Sequence, residues 1–257
     1  MARPSQKTQD AASGAGPEPG GGAAGKRRRR SLGFLTPELI LDTAMGIVER
    51  EGADALTLRR LGVELGVDHT AVLRHFGGKD DLLLGLTDRI LAESLEGFSP
   101  AEKAEDWRET LENLARRVRR ACLAHPRVAS IVAGRTSRRD AEFLGADIVL
   151  GALFQAGLEG KEAASCYRAL VDVALSYTAF EASQLSLEDS ARAGDRAAWG
   201  REYLAAPPEV YPNIAAVAGH LAAVDEEDQF EVAMGLFLDA IELRALRARE
   251  GSGGGGL

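Results

Sequence analysis

In the run GVDHTAVLRHF, Asp68, His69 and Thr70 stand side by side at a point where a helix can begin. Asp68 is a good N-cap. His69 and Thr70 then fall on the first helical turn, where side chains face outward. An imidazole can donate to or accept from a base edge, and Thr70 offers a hydroxyl and a methyl. Ala71 follows on the same turn. The second pointed stretch is GKRRRR at Gly25–Arg30, which places Lys26, Arg27, Arg28, Arg29 and Arg30 in a row within a chain of formal net charge −8. Such a tract suits a polyanion.

Little else invites chemistry. The four histidines, His69, His75, His125 and His220, form no H-x-x-x-H pair, and Cys122 and Cys166 form no C-x-x-C. Neither a zinc site nor a disulfide framework is expected, so both thiols read as core fillers. A Walker loop, a dinucleotide fingerprint and a nucleophile elbow are likewise missing. The expectation is no catalytic site, no metal and no cofactor. No apolar run reaches the roughly 18 residues of a membrane span, and no apolar leader is seen, which points to a cytoplasmic protein in reducing surroundings.

The positioning elements read as helices throughout. Aromatic residues make up 5% of the 257 residues, and period-2 runs of β-branched residues are lacking, so an all-α fold is expected. Thr36 and Pro37 suit the start of a first helix, with Ile40, Ala44, Ile47 and Val48 on one face and Gly52 at its end. Thr57 caps a short helix with Leu58, Leu61 and Leu65 inward, ended by Gly66. Asp68 caps a second, running to Phe76, with Ala71, Val72 and Phe76 inward. Two short helices about a tight glycine turn make a helix-turn-helix. Asp80 and Asp81 favour a further helix start, with Leu82, Leu83, Leu86 and Ile90 as its stripe.

Those motifs carry a resemblance. LTLRRLGVELGVDHTAVLRHFGGKDDLL resembles the N-terminal DNA-binding domain of the TetR family of bacterial transcriptional regulators, over roughly Leu35–Leu95. The resemblance implies a three-helix helix-turn-helix domain at 34–98 and a C-terminal helical ligand-binding and dimerisation domain at 99–250. A basic arm at 1–33 and a flexible tail at 251–257 flank them. It implies phosphate contacts from Thr57, Arg60, His75 and Lys79, and a base-edge or groove-rim contact from Arg59. Base-reading falls to His69, Thr70 and Ala71, while Arg74 meets backbone or base. Leu73 stands where the family usually carries Tyr, so a thymine methyl replaces a phosphate as its partner. Gly62 stands where Ala is usual.

The implied function is a homodimeric regulator on double-stranded, palindromic operator DNA, acting as a repressor that a small hydrophobic or aromatic effector releases. The other reading is a helical small-molecule binder that does not use its helix-turn-helix on DNA. Candidate effector contacts are Phe143, Phe154, Tyr167, Tyr177, Phe180, Trp199, Tyr203 and Phe237. Trp107 and Cys122 are expected in the core. Long helices around Ala163–Leu185 and Glu227–Arg249 carry alanines that permit close approach, and four such helices from two subunits would form the dimer interface. The segment from Ala197 to Ile214, with three prolines, is expected to be irregular.

Charge poses a problem for DNA. Residues 36–98 hold six basic and twelve acidic side chains, a net of −6, whereas residues 1–35 hold seven and two, a net of +5. A cationic arm beside the recognition helix can enter the minor groove or neutralise phosphates. Each phosphate neutralised steepens the salt dependence by about 0.9 log units per log salt. Deleting residues 1–30 is therefore expected to weaken operator affinity and flatten its salt slope; identical affinity and slope would eliminate the arm.

Overall fold

The computed structural model describes residues 35–98, 106–224 and 229–253, with side chains to Glu250. The basic arm and the last four residues of the tail lie outside the described residues. Eleven α-helices account for most of the described chain, with one 3-10 turn at Ala53–Ala55, one π segment at Trp199–Tyr203 and no strand among the described residues.

Local chemistry sets the first helices. α1 (Pro37–Glu51) starts on the Thr36 hydroxyl, which accepts the Leu39 N–H at 3.2 Å, and stops at Gly52, whose φ is 88°. α2 (Leu58–Leu65) starts on Thr57 and ends at Gly66 with φ 70°, a left-handed position that costs a side chain little only in glycine. α3 spans His69–Val72 only. The expected rod to Phe76 is one α-turn continued by tight turns, the His75 and Phe76 N–H groups both donating to the Val72 carbonyl. A chain that must deliver Phe76 to the core and then leave through Gly77 and Gly78 has no room for a second full turn.

α4 (Lys79–Leu95) buries Leu82, Leu84, Leu86 and Ile90. Leu83, expected inward, is half-buried, and Leu84 takes its place because α4 meets neighbours on two sides. With Ile40, Ile47, Val48, Leu56, Leu61, Val72 and Phe76, these side chains form the N-terminal core. Gly62 fits a close approach: a Cβ there would lie 2.9 Å from the Val67 carbonyl oxygen. Glycine therefore lets the turn sit tighter against α2 than alanine would.

The C-terminal part is built from α5 (Trp107–Ala124), α6 (Pro126–Gly134), α7 (Asp140–Ala156), α8 (Gly160–Leu185), α9 (Asp189–Ala198), α10 (Pro212–Ala222) and α11 (Gln229–Gly253). α6 is a correction. Pro126 ends α5 as expected, yet it is also the first residue of a nine-residue helix that packs along α8. Between Ala197 and Ile214 the expected irregularity is a π segment and turns leading into α10. α11 runs through Gly251 to Gly253, into a stretch whose composition suggested a tail.

Leu111, Leu114, Val149, Leu153, Leu170, Phe230, Met234 and Ile241 close the second core, with Trp107 half-buried against it. Bidentate Arg119–Glu181 contacts at 2.7 Å pin α5 to α8, and the Arg119 guanidinium lies 5.1 Å from the Phe230 ring centre. Both cysteines are core fillers, and burial pushes the Cys122 thiol up to about 12. A thiol reagent at pH 8 is expected to modify neither Cys122 nor Cys166 until the chain is unfolded in guanidinium; a fast-reacting thiol in the native protein would contradict this packing.

Candidate nucleic-acid interface

The first turn of α3 is held from below and left open above. Val72 and Phe76 are buried, while His69, Thr70, Leu73, Arg74 and His75 are exposed and Ala71 is half-buried. Asp68 Oδ1 accepts both the Thr70 N–H at 2.9 Å and the Thr70 hydroxyl at 2.7 Å. Those two bonds hold the Asp68 carboxyl below the usual carboxylate range. Thr70 has thus committed its proton within the turn, and presents a lone pair and a methyl outward. His69 Nδ1 lies 3.5 Å from the same carboxylate, which leaves Nε2 to face outward.

The flanks differ from one another. Thr57 accepts the Arg60 N–H at 3.0 Å and keeps its own hydroxyl proton for another acceptor. Lys79 opens α4, beside Asp80 and Asp81. Arg59 and Arg74 are exposed, and no described carboxylate pairs with either. Arg60 is placed differently from the expected phosphate contact. Its guanidinium lies 2.8 Å from Glu51 and also pairs with Glu64, and these carboxylates, Glu51 first, hold it more firmly protonated. It ties α1 to α2 in the free protein. Arg27–Arg30 lie outside the described residues.

The acidic balance of this domain is largely spent internally. Asp42 pairs with Arg89 at 2.9 Å, Asp80 with Arg135 at 2.8 Å and Asp81 with Arg139 at 2.6 Å. Glu49 accepts the Val128 N–H and Asp88 the Ser137 hydroxyl. Several of these partners, Arg135, Arg139, Val128 and Ser137, sit on the C-terminal part.

One loop joins both parts. Arg135–Arg139, between α6 and α7, lends Arg135 and Thr136 to the wall of a cavity of about 330 Å³ bordered by α4, α5, α6, α7, α8 and, through Met234, α11. Arg138 within it has φ 58°, a left-handed conformation unusual outside glycine, held by its N–H donating to Glu142 Oε2 at 2.7 Å. Arg135 and Arg139 grip the first turn of α4, and Asp81 Oδ2 accepts the Gly77 N–H at 2.8 Å, next to the end of the recognition segment.

The cavity wall combines aliphatic side chains with a few polar and charged ones. Of the eight aromatic candidates, Tyr167 alone lines it. Phe143, Phe154, Phe180, Trp199 and Tyr203 are exposed, the last two stacked at 4.4 Å. Tyr177 and Phe237 pack half-buried against the core, Tyr177 edge-on to Phe230. The residues that sequence reading missed, among them Leu91, Leu114, Val132, Val149 and Val171, look like ordinary core positions in a helical pattern. The signal available was that α4 to α8 hold more small residues than a filled core needs.

Two family descriptions match the sequence: bacterial regulatory proteins of the tetR family over residues 40–86, and the tetracyclin repressor-like C-terminal domain over residues 99–245. An HTH-type transcriptional repressor of Mycobacterium tuberculosis is 32% identical over 224 residues, covering 84% of this chain and 83% of its own. The class A tetracycline repressor of Escherichia coli is 29% identical over 219 residues, 85% of this chain and 96% of its own. Apo ActR from Streptomyces coelicolor superposes with a TM-score of 0.71 at 27% identity, over 83% of this chain and 98% of its own. ActR in complex with actinorhodin gives 0.69 at 28% identity, over 82% and 99%.

The capping arrangement makes a direct prediction. Asp68→Ala removes the acceptor of both Thr70 bonds and is expected to lower the melting temperature by about 2–4 °C, while Asp68→Asn, whose amide oxygen still accepts the Thr70 N–H, is expected to recover most of that loss. Calorimetric melts of the two variants check it; equal melting temperatures for Asp68→Ala and the unmodified chain would refute the cap.

Proposed function

The chain belongs to the tetR family of bacterial regulatory proteins, and from that membership we propose that it is a cytoplasmic, homodimeric repressor released from a palindromic operator by a small molecule. It is a DNA-binding transcriptional regulator and not an enzyme. His69 and Thr70 read base edges in the major groove, with Leu73 against a thymine methyl. Thr57, His75 and Lys79 hold phosphates, Arg59 and Arg74 reach the groove rim or bases, and Arg60 joins only by exchanging Glu51 or Glu64 for a phosphate. Arg27–Arg30 lie along the neighbouring groove.

The dimer presents α3 twice, about 34–36 Å apart, one DNA turn. α11 supports this assembly. Phe230, Met234, Leu238, Ile241 and Ala245 are buried on one face, while Val232, Leu236, Leu243 and Leu246 are exposed on another. A helix apolar on two faces needs a partner on each. On α8, Phe180 and Leu185 are also exposed, and the two helices from each subunit would make a four-helix bundle.

A single observation carries the ligand response: one loop, Arg135–Arg139, is both cavity wall and clamp on the first turn of α4. An effector that prefers another position of this loop changes the spacing of the two recognition segments. It then lowers operator affinity by its differential affinity for the two states. The related ActR seen with actinorhodin supports a small-molecule effector here. The reading without DNA rested on the acidic domain, and the internal pairing of those acids removes its support.

Gel retardation on DNA flanking its own coding region tests the proposal. The unmodified chain is expected to retain that DNA, and His69→Ala combined with Lys79→Ala to lose at least about tenfold in affinity with the fold intact. Equal retention by both proteins, or no retention of any duplex from a genomic library, would reject it.

A further inference from the structure

Two buried hydroxyls on α4 line the cavity. Thr87 and Ser94 are seven residues apart, hence on one helix face, and are 1% and 3% exposed. Each hydroxyl has a single proton, and each gives it to its own helix: Thr87 Oγ1 to the Leu83 carbonyl at 3.1 Å, Ser94 Oγ to the Leu91 carbonyl at 2.6 Å. While those bonds hold, the hydroxyls offer the cavity lone pairs. A ligand group that brings a proton is satisfied there. A carboxylate or ether oxygen receives a proton there only if a hydroxyl gives up its helix bond, so it is held less well than a donor.

The charged part of the wall repeats the preference by other means. Glu142 on α7 and Tyr167, Arg168 and Asp172 on α8 all line the cavity, with Arg168 and Asp172 exposed. Two carboxylates against one guanidinium leave this rim at −1. The other cation on the wall, Arg135, is engaged with Asp80 at 2.8 Å. Burial first, and then Glu142, raises the Tyr167 hydroxyl pKa, so its proton stays on and its ring remains a neutral face. Elsewhere the wall includes Leu91, Leu111, Leu114, Val118, Val149 and Met234, which offer bulk and no stacking surface.

Acceptors inside and negative charge at the mouth both ask the ligand for donors. Taking the cavity to be the effector site, as above, we propose that the effector is an aliphatic or alicyclic amphiphile that carries hydroxyl or amine donors and no acidic group. This narrows the hydrophobic or aromatic class that the sequence suggests. It sets flat aromatic acids and fatty acids aside, because the cavity does not supply the uncompensated cation they require.

The probes are ω-aminodecanol and ω-hydroxydecanoic acid, identical in body and hydroxyl and opposite in end charge, titrated calorimetrically into the full chain. The amino alcohol is expected to bind at least about tenfold more tightly, and Glu142→Gln with Asp172→Asn to bring the two within about threefold of each other. Gly145→Leu is the control for location. Gly145 lines the cavity, nothing lies within 4 Å of a Cβ built on it, and leucine favours the helix, so this variant fills the space and is expected to abolish binding. If the hydroxy acid binds as tightly as the amino alcohol or more so, the donor rule is overturned. Binding of neither probe, or binding that Gly145→Leu leaves unchanged, overturns it as well. Selective binding that leaves DNA retention unaltered supports the donor rule and counts against the effector reading, so the two failures are separate.

Discussion

The carboxylate of Asp81 is shared between two parts of the chain that have no sequence connection to each other. One oxygen accepts the Gly77 N–H at 2.8 Å, directly after the recognition segment, and the other meets the Arg139 guanidinium at 2.6 Å on the cavity loop. Asp81 itself sits in the first turn of α4, where a negative charge complements the helix dipole. The partners are about one-third exposed, so water screens the pair and its net energy is modest. Its value is geometric. It links the end of the recognition segment to the loop that borders the cavity.

The same pairing explains how an acidic domain can address a polyanion. Charge totals count Asp42, Asp80, Asp81 and Asp88 as repulsive, yet each is held by a basic or hydroxyl partner. Long-range repulsion falls off within about one Debye length, so the placement of charge governs the surface potential more than its sum. Arg60 shows the reverse. A cation counted toward DNA is occupied with Glu51 and Glu64 and serves the α1–α2 junction instead.

The cavity follows from what the surrounding helices lack. α4 to α8 bring Ala115, Ala133, Ala141, Ala146 and Gly145 to one place, where larger side chains would close the core. Apart from Tyr167, the aromatic candidates lie elsewhere: Phe143, Phe154 and Phe180 outward, Tyr177 and Phe237 within the core packing. A cavity is space left by small residues on several helices, and no periodicity within one helix reports it. α6 was hidden for a related reason, since nine residues between Pro126 and Gly134 are too short for a periodic pattern and gain their stability from packing on α8.

The sequence alone determined the features that arise within a few residues. Thr36, Thr57, Asp68 and Asp106 cap helices through side-chain bonds of two or three residues' reach, and Gly52, Gly66 and Gly157 end them by accepting left-handed or unusual backbone. Those local bonds, together with the spacing of Ile40, Leu61, Val72 and Phe76, were enough to identify a helix-turn-helix and its exposed first turn. Tertiary structure alone decided which charges are spent, which apolar residues face empty space, and that one loop belongs to cavity and DNA-reading end together. Arg135 with Asp80, and Arg139 with Asp81, are partners across more than fifty residues. Pairing over such distances depends on how whole helices pack, and packing is set by the sum of many contacts that no short stretch contains.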